Sequence, residues 1–148
     1  MPDIYNISYD DPKVYAMLSK GDTDGVFQLE STGMRNFMRE LEPSTFEDII
    51  AGIALYRPGP MESIPRYVRG KKEPESVEYL HPVLEHVLNV TYGCIVYQEQ
   101  VMQIVRDVAG YSLGRSDVMR RAMSKKDKAV MEREHEIFIH GLEAVSYT

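Results

Sequence analysis

A chain of 148 residues with 43% hydrophobic and 27% charged content is long enough to bury one ordinary core, and this composition does not suggest disorder. One cysteine, Cys94, excludes an internal disulfide and a multi-cysteine zinc site, and the longest clearly apolar run, residues 49–56, is far too short to span a bilayer. A net charge of -6 argues against wholesale attraction to nucleic acid. Its distribution is uneven: six basic residues between Arg115 and Lys128 against two aspartates make that window +4 and leave the remainder at -10. Arg66, Arg69, Lys71 and Lys72 form a second basic stretch with no intervening acid. The chain reads as a cytoplasmic protein with no membrane association, an acidic body carrying two basic patches suited to phosphates.

The punctuation along the chain is that of an all-α protein, short helices joined by Pro- and Gly-rich connections. Asp11-Pro12 is an N-cap and first-turn signal, and Val14, Met17 and Leu18 mark one face before Gly21. Met34, Phe37, Met38 and Leu41 fall at i, i+3, i+4 and i+7, stopped by Pro43. Ser44 and Glu47 have capping-box spacing, which turns Ile49, Ile50, Ile53 and Ala54 inward. Arg57-Pro58-Gly59-Pro60 ends that helix in a stiff turn that fixes the direction of Arg57. Ile64, Tyr67 and Val68 predict a short helix, and residues 71–78 a charged loop. Pro82 opens another helix with Val83, Leu84, Val87 and Leu88 apolar. Cys94 to Tyr97 has strand composition, but Val101, Ile104, Val105 and Val108 continue a helical period from it to Gly110, so helix is preferred. Two last helices are predicted over residues 116–126 and 128–144, the second with Met131, His135, Phe138 and Leu142 on one stripe.

Three tempting signals are better read as structural. Asp22-Thr23-Asp24 has metal-pairing spacing but lies between Gly21 and Gly25, where aspartates are ordinary turn residues. His135 and His140 are five apart, which puts them on different helix faces rather than on one zinc-binding face. Cys94 with His81 or His86 lacks a third orienting group for nucleophilic chemistry. No catalytic residue and no metal ligand is assigned to this chain, and no cofactor is expected on it.

Residues 110–126 are different. Val118, Met119, Ala122 and Met123 suit a core-facing side, while Arg120 and Arg121 project together, with Lys125 one turn beyond Arg121. Two guanidinium forks side by side match the spread oxygens of a triphosphate, because each fork binds phosphate bidentately and stays charged. The competing reading is a solvated face on which Asp117 and Arg121 form an i,i+4 pair worth only ~0.3 kcal/mol. Periodicity alone favours that second reading.

Several motifs along the chain carry a resemblance. Gly25-Val26-Phe27-Gln28-Leu29-Glu30-Ser31, Ala54-Leu55-Tyr56-Arg57-Pro58-Gly59-Pro60, the run from Val96 to Ile104, Ala109-Gly110-Tyr111-Ser112-Leu113-Gly114 and Arg120-Arg121-Ala122-Met123 occur in the order found in C-family bacterial replicative DNA polymerases. The chain resembles the fingers segment of that family over nearly its whole length. What the resemblance implies is a single helical fingers domain over residues 1–148, residues 142–148 being an atypical tail. Its partners would be primer-template DNA, deoxynucleoside triphosphates and the palm and remaining domains of a parent polymerase.

The resemblance further implies that Arg120 and Arg121 contact the incoming triphosphate. Arg57 and Lys125 are weaker candidates for nucleotide or palm-facing contacts, and Arg66, Arg69, Lys71 and Lys72 for the DNA backbone. The family's metal-binding palm aspartates, which would hold Mg2+, have no match here. The chain therefore reads as an excised segment or truncated frame without polymerase activity of its own. The alternative is a non-catalytic helical module that binds nucleic acid or protein.

Overall fold

A computed structural model describes residues 3–140, and among these residues every regular element is helical. The chain divides into two compact units, Met1–Lys72 and Glu73–Thr148. The predicted tail 142–148, the stripe residue Leu142 and the end of the last helix lie outside the described residues.

The first unit holds α1 (Pro12–Lys20), α2 (Thr32–Leu41), α3 (Phe46–Leu55) and α4 (Ile64–Lys72). Asp11 caps α1 by accepting from the Lys13 amide at 2.8 Å, and Gly21 ends it in the left-handed conformation. Its inward side is Tyr15 and Leu18, whereas Val14 is exposed, contrary to the sequence expectation. The Tyr15 hydroxyl donates to the Tyr9 carbonyl, which draws the ring inward. In α2 all four expected residues, Met34, Phe37, Met38 and Leu41, are buried.

α3 corrects the sequence reading by one residue. Its N-cap is Thr45, not Ser44, and its partner is Asp48 rather than Glu47: Thr45 accepts from the Asp48 amide at 3.2 Å while Asp48 Oδ2 accepts from the Thr45 amide at 3.1 Å. The buried stripe turns with the cap to Asp48, Ala51, Gly52 and Leu55, and leaves Ile50 exposed. Gly52 belongs there because a Cβ on it would stand 2.9 Å from Met38 Cε and 3.2 Å from Leu41 Cδ2. The predicted loop from Lys71 is also corrected, since Lys71 and Lys72 complete α4. Lys71 Nζ donates to the carbonyls of Leu41 (3.2 Å) and Glu42 (2.6 Å) and lies 3.4 Å from Asp48 Oδ2, so one ammonium closes α2 and reaches the start of α3.

The second unit begins with irregular turns. Pro82–Leu84 and Asn89–Thr91 are single 3-10 turns on either side of a short α5 (Glu85–Leu88). α6 spans Gln98–Ala109, α7 Leu113–Lys125 and α8 Lys128–His140, and each of these three packs on the other two. The helix expected from Cys94 starts only at Gln98. Side chains take the backbone there: Gln100 Oε1 accepts from the amides of Val96 (2.8 Å) and Tyr97 (3.0 Å), and the Thr91 hydroxyl donates to the Cys94 carbonyl at 2.6 Å. The core of this unit gathers Val105, Ala109 and Tyr111, with Met119, Ile137 and Phe138 against it. Val118 and Met123, expected inward, are about 40% exposed, because the inward side of α7 is made by Ser116, Met119 and Ala122.

Candidate functional site

α7 opens earlier than its spacing suggested. Ser112 accepts from the Arg115 amide at 3.2 Å, and buried Ser116 donates back to the Leu113 carbonyl at 2.7 Å. With Ala122 and Met119 turned to the core, the helix presents Asp117, Arg120 and Arg121 away from it. Arg120 Nε and Nη2 donate to Asp117 Oδ1 at 2.9 and 2.8 Å, and Arg121 Nε donates to Asp117 Oδ2 at 2.8 Å, seconded by its Nη2. One carboxylate thus serves two guanidinium groups, one oxygen each. These two arginines hold the Asp117 carboxyl below its ordinary value of 3.8, the Arg120 bonds contributing most. No other described residue takes a donor of either arginine, which leaves both Nη1 groups and one N–H of each Nη2 without a protein partner among the described residues.

Lys125 is exposed on the last turn of α7, without an ion pair among the described residues. Ser124 beside it accepts from Gln98 Nε2 at 3.0 Å, which ties this end of α7 to the first turn of α6. Arg57 belongs to the first unit. Its amide donates to the Leu55 carbonyl at 2.8 Å, its exposed guanidinium has no partner among the described residues, and it borders a cleft with Gln28, Met34, Ile53 and Tyr56. Arg66, Arg69 and Lys72 are exposed on α4, and Lys72 lies 3.4 Å from Glu42. Lys71, the fourth of that group, has its ammonium turned to the end of α2 and to Asp48.

The motifs read as structural have local explanations. Thr23 is fully buried, its hydroxyl donating to the Leu29 carbonyl at 2.6 Å, and Asp24 pairs with Arg35, which gives the aspartates a turn role. Cys94 is buried. Among the described residues no group of three or more His, Cys, Asp or Glu side chains is arranged to hold a metal ion. These residues do not fit the Mg2+ site that the resemblance places in a palm.

Two features escaped sequence reasoning. The Asp117–Arg120 bond was readable as i,i+3 spacing beside the recognised i,i+4 pair. Glu134 left no such signal. It is 2% exposed, accepts from Arg115 Nε at 3.2 Å and lies under Tyr111, whose hydroxyl donates to its backbone carbonyl at 3.1 Å. The Arg115 guanidinium also stands 4.9 Å over the Tyr111 ring. Burial first, then Glu134, pushes the Tyr111 phenol above its usual range.

The fold and this arginine face define a helical module with a paired-guanidinium surface, and comparison gives it a lineage. Residues 2–146 match the bacterial DNA polymerase III alpha subunit finger domain. The chain is 53% identical over 145 residues to the DNA polymerase III subunit alpha of Staphylococcus aureus strain Mu50, covering 98% of this chain and 14% of that protein. It is 54% identical, with the same coverage, to the subunit of Staphylococcus epidermidis. The chain belongs to the bacterial DNA polymerase III alpha subunit finger domain family. It spans about 14% of the length of the curated relatives it matches. Among the described residues no helix is long and apolar enough to cross a membrane.

Proposed function

We propose that this chain is the part of a replicative DNA polymerase that grips the triphosphate of the incoming deoxynucleotide while primer-template DNA is extended. One observation carries the reading: Arg120 and Arg121 are held side by side by a shared carboxylate with their outer donors uncommitted. In template-directed synthesis the primer 3′ oxygen attacks the α-phosphorus and pyrophosphate departs, so negative charge builds on the β- and γ-phosphates. Two fixed guanidinium groups stabilise that charge without reorganising at the moment of reaction. Lys125, one turn on, adds an unpaired positive charge to the same helix. The metal-holding carboxylates are assigned to the palm of the parent enzyme, and Arg66, Arg69 and Lys72 to contacts along the DNA backbone.

The test is steady-state incorporation by the full-length parent carrying Arg120→Ala with Arg121→Ala. Incorporation falls by roughly 10²-fold or more on this reading, the scale seen when a preorganised charge-stabilising donor is removed, while primer-template binding changes far less. Unchanged incorporation overturns the assigned role and favours a non-catalytic helical module that docks on nucleic acid or protein.

A further inference from the structure

The arginine pair of α7 is flanked on both sides at matching spacings. Asp117 stands three residues before Arg120 and four before Arg121, and each of its oxygens takes one guanidinium. Ser124 repeats that spacing in the other direction, four residues after Arg120 and three after Arg121. Both spacings bring side chains onto one helix face, and the Cα–Cβ bond of Ser124 tilts toward the turn that carries the arginines. The serines of residues 110–126 differ in what their hydroxyls do. Ser112 caps α7, and Ser116 is fully buried and donates to the Leu113 carbonyl. Ser124 is exposed, and among the described residues its Oγ accepts one hydrogen bond, from Gln98 Nε2 at 3.0 Å, and donates none. It lies in the last turn of α7, which closes at Lys126 with φ 54°. A terminal turn closed by a residue with a Cβ in the left-handed region opens locally at small cost.

The charges around Ser124 are those that an acidic kinase groove selects. Arg120 and Arg121 precede it, Lys125, Lys126 and Lys128 follow it, and Asp127 is the one acid between residues 118 and 130. We propose that Ser124 is a phosphorylation site and that its phosphate shuts the arginine face to a triphosphate. In the modifying step the Ser124 Oγ attacks the γ-phosphorus of ATP held by a serine kinase with an acidic substrate groove. The Oγ–P bond forms as the bond from that phosphorus to the β–γ bridging oxygen breaks. ADP departs, and the hydroxyl proton passes to a carboxylate base of the kinase. The product carries about -1.5 to -2 charges and three strong acceptor oxygens at neutral pH.

That phosphate meets the guanidinium donors that Asp117 leaves unpartnered among the described residues, approaching them from the turn on the other side. Tethered one turn away, it competes for them with a triphosphate arriving from solution. The C-terminal end of a helix disfavours an anion, but the +4 charge of residues 115–128 offsets that effect. That incorporation falls rests on the arginines gripping the triphosphate; that Ser124 accepts a phosphate does not.

The full-length parent is incubated with ATP and a serine kinase that selects arginine three residues before its target, beside the unfolded peptide of residues 115–130. Phosphate on Ser124 of the folded protein, located by tandem mass spectrometry, is expected. Modification of the peptide alone overturns the site, as does modification of neither. A second arm installs phosphoserine at position 124 of the parent by codon expansion. The KM for deoxynucleotide should rise about tenfold or more, the scale of one or more charge-assisted bonds contested, with primer-template affinity little changed, whereas Ser124→Ala keeps the parent's KM. An unchanged KM overturns the switch. Gln98→Ala breaks the tie to Ser124 without adding charge, and a KM rise there as large as the phosphate's overturns it too. In the parent carrying Arg120→Ala with Arg121→Ala the phosphate should have no further effect, and a full effect in that background places its action elsewhere and overturns the switch. If those two substitutions leave incorporation unchanged, the triphosphate grip fails and the switch with it, while the modification of Ser124 is decided by the mass spectrum.

Discussion

Arg120 reaches back one turn of α7 and lays both Nε and Nη2 on a single oxygen of Asp117, at 2.9 and 2.8 Å. Arg121 takes the other oxygen. Because the folded carboxyl titrates below 3.8, the pairing is fully present above that value and is lost as pH falls through the lowered one. The Nε–H signals of Arg120 and Arg121 should therefore stay protected from solvent exchange at neutral pH and lose protection in acid. Asp117→Asn should abolish that pH dependence while changing thermal stability little, since all three side chains are partly exposed. Protection that survives in acid would contradict the shared-carboxylate geometry.

Gly33 faces Tyr56 so closely that a Cβ there would lie 1.7 Å from Oη and 2.8 Å from Cζ. Gly33→Ala must push the ring from its stack on Phe37, and a loss of about 1–3 kcal/mol in urea denaturation is expected, as for other overpacked sites. Adding Tyr56→Phe removes Oη and should restore part of that loss, though not all, because Cζ still crowds the methyl.

Asp48 is 3% exposed and joins the amides of Ser44 and Thr45 to the Lys71 ammonium. Asp48→Ala removes half of a capping box and leaves a largely buried lysine without its carboxylate, which should cost about 3 kcal/mol. Glu47→Ala, on the exposed side of the same turn, should cost under about 0.5 kcal/mol. Equal losses for the two would restore the capping register that the sequence alone suggested.

Glu134→Gln keeps the shape of the buried side chain but removes the charge that holds Arg115 over Tyr111. A loss of about 2 kcal/mol is expected for a charge-assisted bond, read by thermal denaturation. The folded Tyr111 phenol sits above 10.0, so its contribution to stability is whole below that value and is lost as pH rises through the raised one. Absorbance titration in base should find Tyr111 among the tyrosines that ionise late, together with Tyr15, and Tyr111→Phe should remove its share of that late step while leaving that of Tyr15.

The elements that the sequence displayed most clearly are those whose own side chains decide the outcome. In α2 four apolar residues one turn apart are the face, and they are buried as expected. In α3 two adjacent hydroxyls and two adjacent acids offered two cap registers that local rules cannot separate. Asp48 wins through Lys71, a partner 23 positions on that no window of one helix contains. The segment after Gly93 misled for the converse reason, since its apolar residues fit the period of α6 but their amides are claimed by Gln100. At the arginine site the residues and their grouping were legible; the carboxylate that holds them both was seen only as a partner of one.

That carboxylate has a thermodynamic consequence for ligand binding. Asp117 acts as a built-in counterion, so the two guanidinium groups and the acid together present one net positive charge rather than two. Ion release on binding a polyphosphate follows net charge neutralised, and the slope of log K against log salt owed to this face should be nearer one ion than two. Orientation is gained here at the expense of long-range attraction. On the proposed triphosphate-binding role, such a helix would discriminate by the shape of its ligand at contact rather than by drawing anions in from a distance.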